Sequence, residues 1–109
     1  MKRIACLVPE ETPTEQIEDV RSVLAEFGTV EIVGSFREPA EAYLAVYTAD
    51  LVYILNPEGT VDDTIAYLIG CCAKSGQPMY AFRELVGFNV HCPPIRAILP
   101  PARFGDVIN

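Results

Sequence analysis

Apolar residues in this chain gather in short runs, at 3–8, 30–33, 51–55 and 78–82, with Arg3 and Glu31 as their only charged residues. Each run is too short for a helix and shows little polar alternation. That pattern marks strands covered on both faces, as in a parallel sheet. The stretches between them carry helical spacing. Thr12 is placed to cap a first helix, Pro13 to occupy its first turn and Glu15 to complete a capping box. Ile17, Val20, Leu24 and Phe27 share one face of it, and Gly28 is the expected terminator. Pro39 predicts the start of a second helix, with Ala40, Tyr43, Leu44 and Tyr47 as its buried stripe. A third helix over 62–74 buries Ile65, Leu68, Ile69 and Cys72, and Gly76 ends it.

The resulting order is βαβαβαβ, which predicts an α/β protein with right-handed crossovers. The architecture expected is a flavodoxin-like or Rossmann-like three-layer sandwich on a four- to five-stranded parallel sheet. The last quarter is punctuated by Pro93-Pro94 and Pro100-Pro101. There the pattern predicts a turn of helix over 83–87, a short strand over 90–92 and a short helix or strand over 95–99. No repeat or linker interrupts the chain, so 1–109 reads as one domain.

Composition narrows the function classes. Fifteen acidic and eight basic side chains give a net charge of -7. Nucleic acid demands a basic footprint, and none is visible; an anionic membrane surface would repel the chain. No apolar segment approaches the roughly 20 residues of a membrane-spanning helix. The apolar start of the chain is cut short at Pro9-Glu10-Glu11, too soon for a signal segment. A cytoplasmic protein is expected. The four cysteines, Cys6, Cys71, Cys72 and Cys92, form no C-x-x-C pair and read as small buried hydrophobes, with no metal site and no cofactor implied. His91-Cys92 puts adjacent side chains on opposite faces of an extended segment, a poor arrangement for proton sharing.

Candidate chemistry concentrates beyond the third strand. Ligands in open α/β sheets bind past the carboxyl ends of the strands, which is where Asn56-Pro57-Glu58-Gly59 and the acids Asp62 and Asp63 fall. Glu58, Asp62 and Asp63 lie together with no Lys or Arg among them. Such a loop suits a neutral, hydrogen-bonding ligand better than a phosphate, although Asp62 or Asp63 also serves simply as a helix cap. Asp63, Glu58 and Glu10 are the carboxylates available for two-acid glycosyl chemistry, which in its retaining form needs a separation of roughly 5 Å. Arg37 and Arg83 follow strands two and four, placed to clamp an anionic group or to pair with neighbouring acids. Tyr43, Tyr47 and Tyr53 read as core, with stacking on a base as the alternative.

The segment from Ala49 to Gly59, followed by Leu68-Ile69-Gly70-Cys71-Cys72-Ala73 and by Gly76-Gln77-Pro78-Met79-Tyr80, resembles the nucleoside 2-deoxyribosyltransferase family. Members of that family carry an Asp-hydrophobic-Val-Tyr strand running into Asn-Pro and a glycine. A helix with Glu-Ile-Gly-Tyr-Ala and a Gly-Lys-Pro return to a strand follow. The resemblance implies a nucleoside pocket with Asp62 at the position of a base-contacting aspartate; Asn56, Gly59, Glu10 and Arg37, placed at the same sheet edge, are the further candidate ligand-binding residues. It implies N-glycosidic bond cleavage or transfer as the reaction class, and a homodimer or larger assembly. The position of the family's nucleophilic glutamate is held by Leu68, so Glu58 and Asp63 are the acids left to act. The Gly-Pro-Phe-like turn of the family's first strand is Val8-Pro9-Glu10-Glu11 here. Two other readings stand beside this one: a non-catalytic binding or assembly protein on the same scaffold, and a receiver-type signalling domain.

Overall fold

The computed structural model describes residues 2–86 and 95–107. Five parallel strands, β1 (Arg3–Leu7), β2 (Thr29–Val33), β3 (Leu51–Ile54), β4 (Met79–Ala81) and β5 (Ile95–Ile98), form one sheet in the order β2-β1-β3-β4-β5. Helices α1 (Thr14–Leu24), α2 (Pro39–Tyr47) and α3 (Asp63–Ser75) join the first four strands, and a 3-10 helix (Pro101–Asp106) follows β5. This is the flavodoxin-like strand order. Among the described residues no helix is long and apolar enough to cross a membrane.

Strand alternation divides the core in two. Ala5, Leu7, Val33, Val52, Ile54, Met79 and Ala81 face α2 and α3, meeting Ala42, Ala45, Val46, Ile65, Leu68, Ile69 and Cys72. Ile4, Cys6, Val8, Ile32, Leu51, Tyr53, Leu55 and Tyr80 face the other way, onto Val20 and Leu24 of α1 and onto Phe104 of the 3-10 helix. Both faces of β1 and β3 are therefore dry, which is why these strands read as unbroken apolar runs. Ile17 and Phe27 pack at the margin of the second cluster, so the predicted face of α1 is the one buried. Tyr53 lies in the core, and its hydroxyl donates to the Leu99 carbonyl at 2.8 Å.

Several expectations are corrected. The N-cap of α1 is Pro13, with no side-chain cap bond; Thr12 instead donates its N–H to the Pro9 carbonyl, so the capping box does not form. The helix ends at Leu24, ahead of Gly28. Gly28 serves a close approach instead: a Cβ there would stand 2.4 Å from the Lys2 carbonyl oxygen. Residues 83–86 form no helix. Residues 95–98 form a strand, while the strand expected at 90–92 and the pair His91-Cys92 lie outside the described residues.

The largest correction concerns α2. Its buried face is Ala42, Ala45 and Val46, and the expected stripe of Tyr43, Leu44 and Tyr47 points outward at 44%, 60% and 57% exposure. Glu41 is the helix's one charged residue, so apolar spacing distinguishes no face. Contact with the sheet and α3 selects the smaller side chains, which let the helix axis come close.

Candidate functional site

The strand order turns at β1 and β3: β2 lies on one side of this central pair and β4 on the other. Loops leaving the carboxyl ends of β1 and β3 diverge there and leave a crevice, the usual ligand position in such sheets. A cleft of about 450 Å³ occupies it. The β1–α1 segment contributes Pro9, Glu10, Glu11, Thr12, Pro13 and Gln16; the β3–α3 loop contributes Pro57, Glu58, Thr60, Val61 and Asp62. The volume suits a small organic ligand. Four of the lining side chains are carboxylates and none is cationic.

The β3–α3 loop owes its shape to Asn56, Gly59 and Asp62. Asn56 is the buried polar residue at the end of the core. Its Oδ1 accepts the Arg83 N–H at 3.0 Å, and its Nδ2 donates to the Arg83 carbonyl at 2.9 Å. The loop is thus clamped to the chain leaving β4. Asn56-Pro57-Glu58-Gly59 closes with the Gly59 N–H on the Asn56 carbonyl at 2.9 Å, a turn with the residue signature of type I. Gly59 has φ of 85°, and a Cβ there would press on Val86 at 2.9 Å. Asp62 caps α3: its Oδ1 accepts the Ile65 N–H at 2.9 Å, while its Oδ2 accepts the Glu10 N–H at 2.7 Å. One carboxylate therefore starts the helix and ties the β1–α1 loop across the cleft.

The sequence-derived candidates consequently separate. Glu10, Glu58 and Asp62 line the switch-point cleft. Asn56 and Gly59 hold the loop's backbone, and the Asn56 amide is occupied by main-chain partners on both its atoms. Asp63 lines a neighbouring groove of about 340 Å³ between α2 and α3, together with Arg37, Tyr67 and Leu68. Arg37 donates from Nε to the Ile32 carbonyl at 2.9 Å and lies 3.8 Å from Glu31, so its expected partner Glu38 is replaced by an acid on β2. The guanidinium of Arg83 stands over the Phe82 ring, 5.5 Å from its centroid. Glu58 and Asp63, the two acids that the absent glutamate left for catalysis, line different cavities; Glu58 and Glu10 share one. Glu11, Thr12, Gln16 and Thr60 also line the cleft. Position directly after β1 and β3 was the signal that identifies them.

No protein-family model, curated protein or solved structure shows significant similarity to this chain. The site is therefore read from its own chemistry.

Exposed carboxylates and the hydroxyls of Thr12 and Thr60 give the cleft an excess of acceptors, while Pro9, Pro13 and Pro57 supply rigid apolar wall. The thiols are placed elsewhere. Burial pushes Cys6 up to about 12, against a smaller opposing effect of the Arg21 charge. Burial, and secondarily Cys71, pushes Cys72 up to about 12 as well. Neither thiol ionises near neutrality, so neither is a nucleophile. Burial also raises the Tyr53 phenol. Among the described residues no group of three His, Cys, Asp or Glu side chains could hold a metal ion.

Asp62 offers a direct test of the site's construction. Asp62→Ala removes both the cap and the loop tether and is expected to lower stability by about 1–2 kcal/mol. Asp62→Asn keeps an oxygen for the Ile65 N–H but cannot satisfy both N–H groups with carboxylate oxygens. Urea denaturation should rank wild type above Asn above Ala. Faster amide exchange at Glu10 in both variants would report the lost tether.

Proposed function

We propose that the cleft between the β1 and β3 loops binds a neutral compound of nucleoside size, the function of a nucleoside 2-deoxyribosyltransferase-like protein. One observation carries this reading: a cavity of about 450 Å³ at the switch point presents the exposed carboxylates of Glu10, Glu11 and Glu58, beside the backbone-bonded Asp62, with no cation among its lining residues. Sugars and bases bring O–H and N–H donors to such acceptors. A phosphate would meet like charge and no compensating lysine or arginine.

Binding without turnover is the form that Leu68 favours. That side chain is 2% exposed and packs in the core on the α2–α3 side, where a nucleophilic carboxylate would need access to a sugar. The second form, N-glycosidic cleavage or transfer, draws on Glu10 and Glu58, two carboxylates lining one cavity. A carboxylate that activates water is the less demanding variant of that chemistry.

Calorimetric titration with deoxynucleosides and with their 5′-monophosphates tests the proposal. Saturable binding of at least one neutral nucleoside is expected, with the monophosphate about tenfold weaker or worse. Glu58→Gln should weaken the nucleoside by about tenfold, as expected for a hydrogen bond to a charged acceptor. Chromatography of the same mixtures separates the two forms: released base marks cleavage. Absence of saturation with every nucleoside, or tighter binding of the monophosphates, would overturn the reading.

A further inference from the structure

The groove between α2 and α3 shares no lining residue with the switch-point cleft, and its chemistry differs. The cleft presents carboxylates and no cation. The groove, of about 340 Å³, carries one side chain of each charge, Arg37 and Asp63. Its floor is Ala42 and Leu68, buried side chains of α2 and α3. Ser35 and Thr64 add hydroxyls. The volume lies at the small end of the range for ligand cavities.

An arginine and an aspartate lining one small cavity ordinarily close on each other, and this pair does not. Arg37 is held from the other side. Its Nε donates to the Ile32 carbonyl at 2.9 Å, and a terminal nitrogen lies 3.8 Å from Glu31, so the guanidinium is drawn toward β2. The Arg37 N–H also closes a turn on the Gly34 carbonyl at 3.1 Å. The 3.8 Å contact is an ion pair too long for a hydrogen bond. Nε therefore makes the guanidinium's one hydrogen bond among the described residues, and the N–H groups of the terminal nitrogens remain. Asp63 is exposed and has no side-chain hydrogen bond or ion pair among the described residues. It is not needed as a cap, because Asp62 fills that role.

We infer that this groove binds a free α-amino acid with an apolar side chain. Its carboxylate meets Arg37, its ammonium meets Asp63, and its side chain lies on Ala42 and Leu68. One molecule then satisfies both charges and covers the floor. A guanidinium fixed by its neighbours, with N–H groups to spare, matches a carboxylate. The ammonium brings three donors, enough for Asp63 and the nearby hydroxyls. A simple carboxylate would face Asp63 and the Glu31 beside Arg37, and a simple amine would face Arg37; each meets like charge. The zwitterion adds no net charge to a chain of -7. The inference does not rest on the nucleoside reading of the cleft.

Amide chemical shifts of the isotope-labelled full chain, titrated with L-leucine and L-phenylalanine, test it. Saturable shifts at Ala42, Asp63 and Thr64 are expected, with a dissociation constant below about 1 mM. Isocaproate, which is leucine without its ammonium, and isoamylamine, which is leucine without its carboxylate, should each bind at least about tenfold more weakly, as expected for losing a hydrogen-bonded charge. Asp63→Asn retains the fold, since the side chain is exposed and Asp62 keeps the cap. It should weaken leucine at least about tenfold and leave isocaproate as tight or tighter. Four results would each overturn the inference: no saturation by either amino acid at about 10 mM, shifts confined to Glu10 and Glu58 of the cleft, either analogue binding as tightly as leucine, or leucine binding indifferent to Asp63→Asn.

Discussion

Phe104→Ala is expected to destabilise the protein by about 3–5 kcal/mol, the range for removing a fully buried aromatic ring. Phe104 has no exposed surface. Its ring meets Tyr53, Tyr80 and Phe27 edge-on, at centroid distances of 5.7, 5.5 and 6.0 Å. Edge-to-face pairs add to simple area burial. The ring also fastens the 3-10 helix and β5 over the α1 face of the sheet, next to the Leu99 carbonyl that accepts from Tyr53. Domains of this size have total stabilities of about 5–15 kcal/mol, so the variant should lie near its folding threshold at 37 °C. Equilibrium urea denaturation followed by far-UV circular dichroism gives the number. Phe104→Leu should recover more than half of the loss. A loss below about 1 kcal/mol for the alanine variant would mean that the tail does not close the core.

Leu68→Glu is the second large effect, and it also bears on function. Leu68 is 2% exposed among Ile65, Ile69, Cys72 and the α2 alanines. A glutamate there loses the leucine's packing and buries a carboxylate; Arg37 lines the same groove but is engaged by the Ile32 carbonyl and by Glu31, so the change should cost more than about 3 kcal/mol at pH 7. The penalty falls on the charged form, so the folded-state pKa of the new carboxyl rises above its unfolded value near 4.3. Below the unfolded pKa both states are protonated and the charge penalty vanishes. As pH rises through the interval between the two values, stability is lost. Urea midpoints should therefore show the variant closer to wild type at pH 4 than at pH 7. An undiminished midpoint at pH 7, together with base release from a deoxynucleoside, would instead mean that α3 presents this position to a sugar.

The legible parts of this molecule were those with one dominant physical cause. Strands β1 and β3 were readable because both faces of each are covered, leaving no polar residue to interrupt Ile4 to Leu7 or Leu51 to Ile54. Helix α3 was readable because Asp62 caps it and Gly76 ends it in the left-handed region at φ of 82°. Capping residues act within one turn, so local sequence is enough. Helix α1 shows where local reasoning overreached. Thr12 and Glu15 have the composition of a capping box, but Thr12 is drawn into a turn with Pro9 that shapes the cleft wall. The buried side of α2 was illegible for another reason. Alanine, valine, leucine and tyrosine occur all round it, and burial follows shape, not hydrophobicity.

The site divides along the same line. That acids gather after β3 was plain from Glu58, Asp62 and Asp63. Their separation into two cavities depends on the path of the first turn of α3 and on where α2 lies, neither of which spacing reports. Glu10 enters the cleft through a bond between its own N–H and Asp62, fifty-two residues away. The role of Asn56 likewise required the chain leaving β4, which supplies both its partners.

Sequence alone determined the α/β class, the parallel sheet, the acidic character of the chain and the position of an acidic loop beyond β3. These follow from periodicity, short-range capping and charge, all of which act over a few residues. Only the tertiary structure decided which carboxylates share a cavity, which face of α2 is buried, and that Phe104 seals the core. Those outcomes depend on contacts between residues distant in the chain, where close packing, not local preference, selects among side chains that look alike.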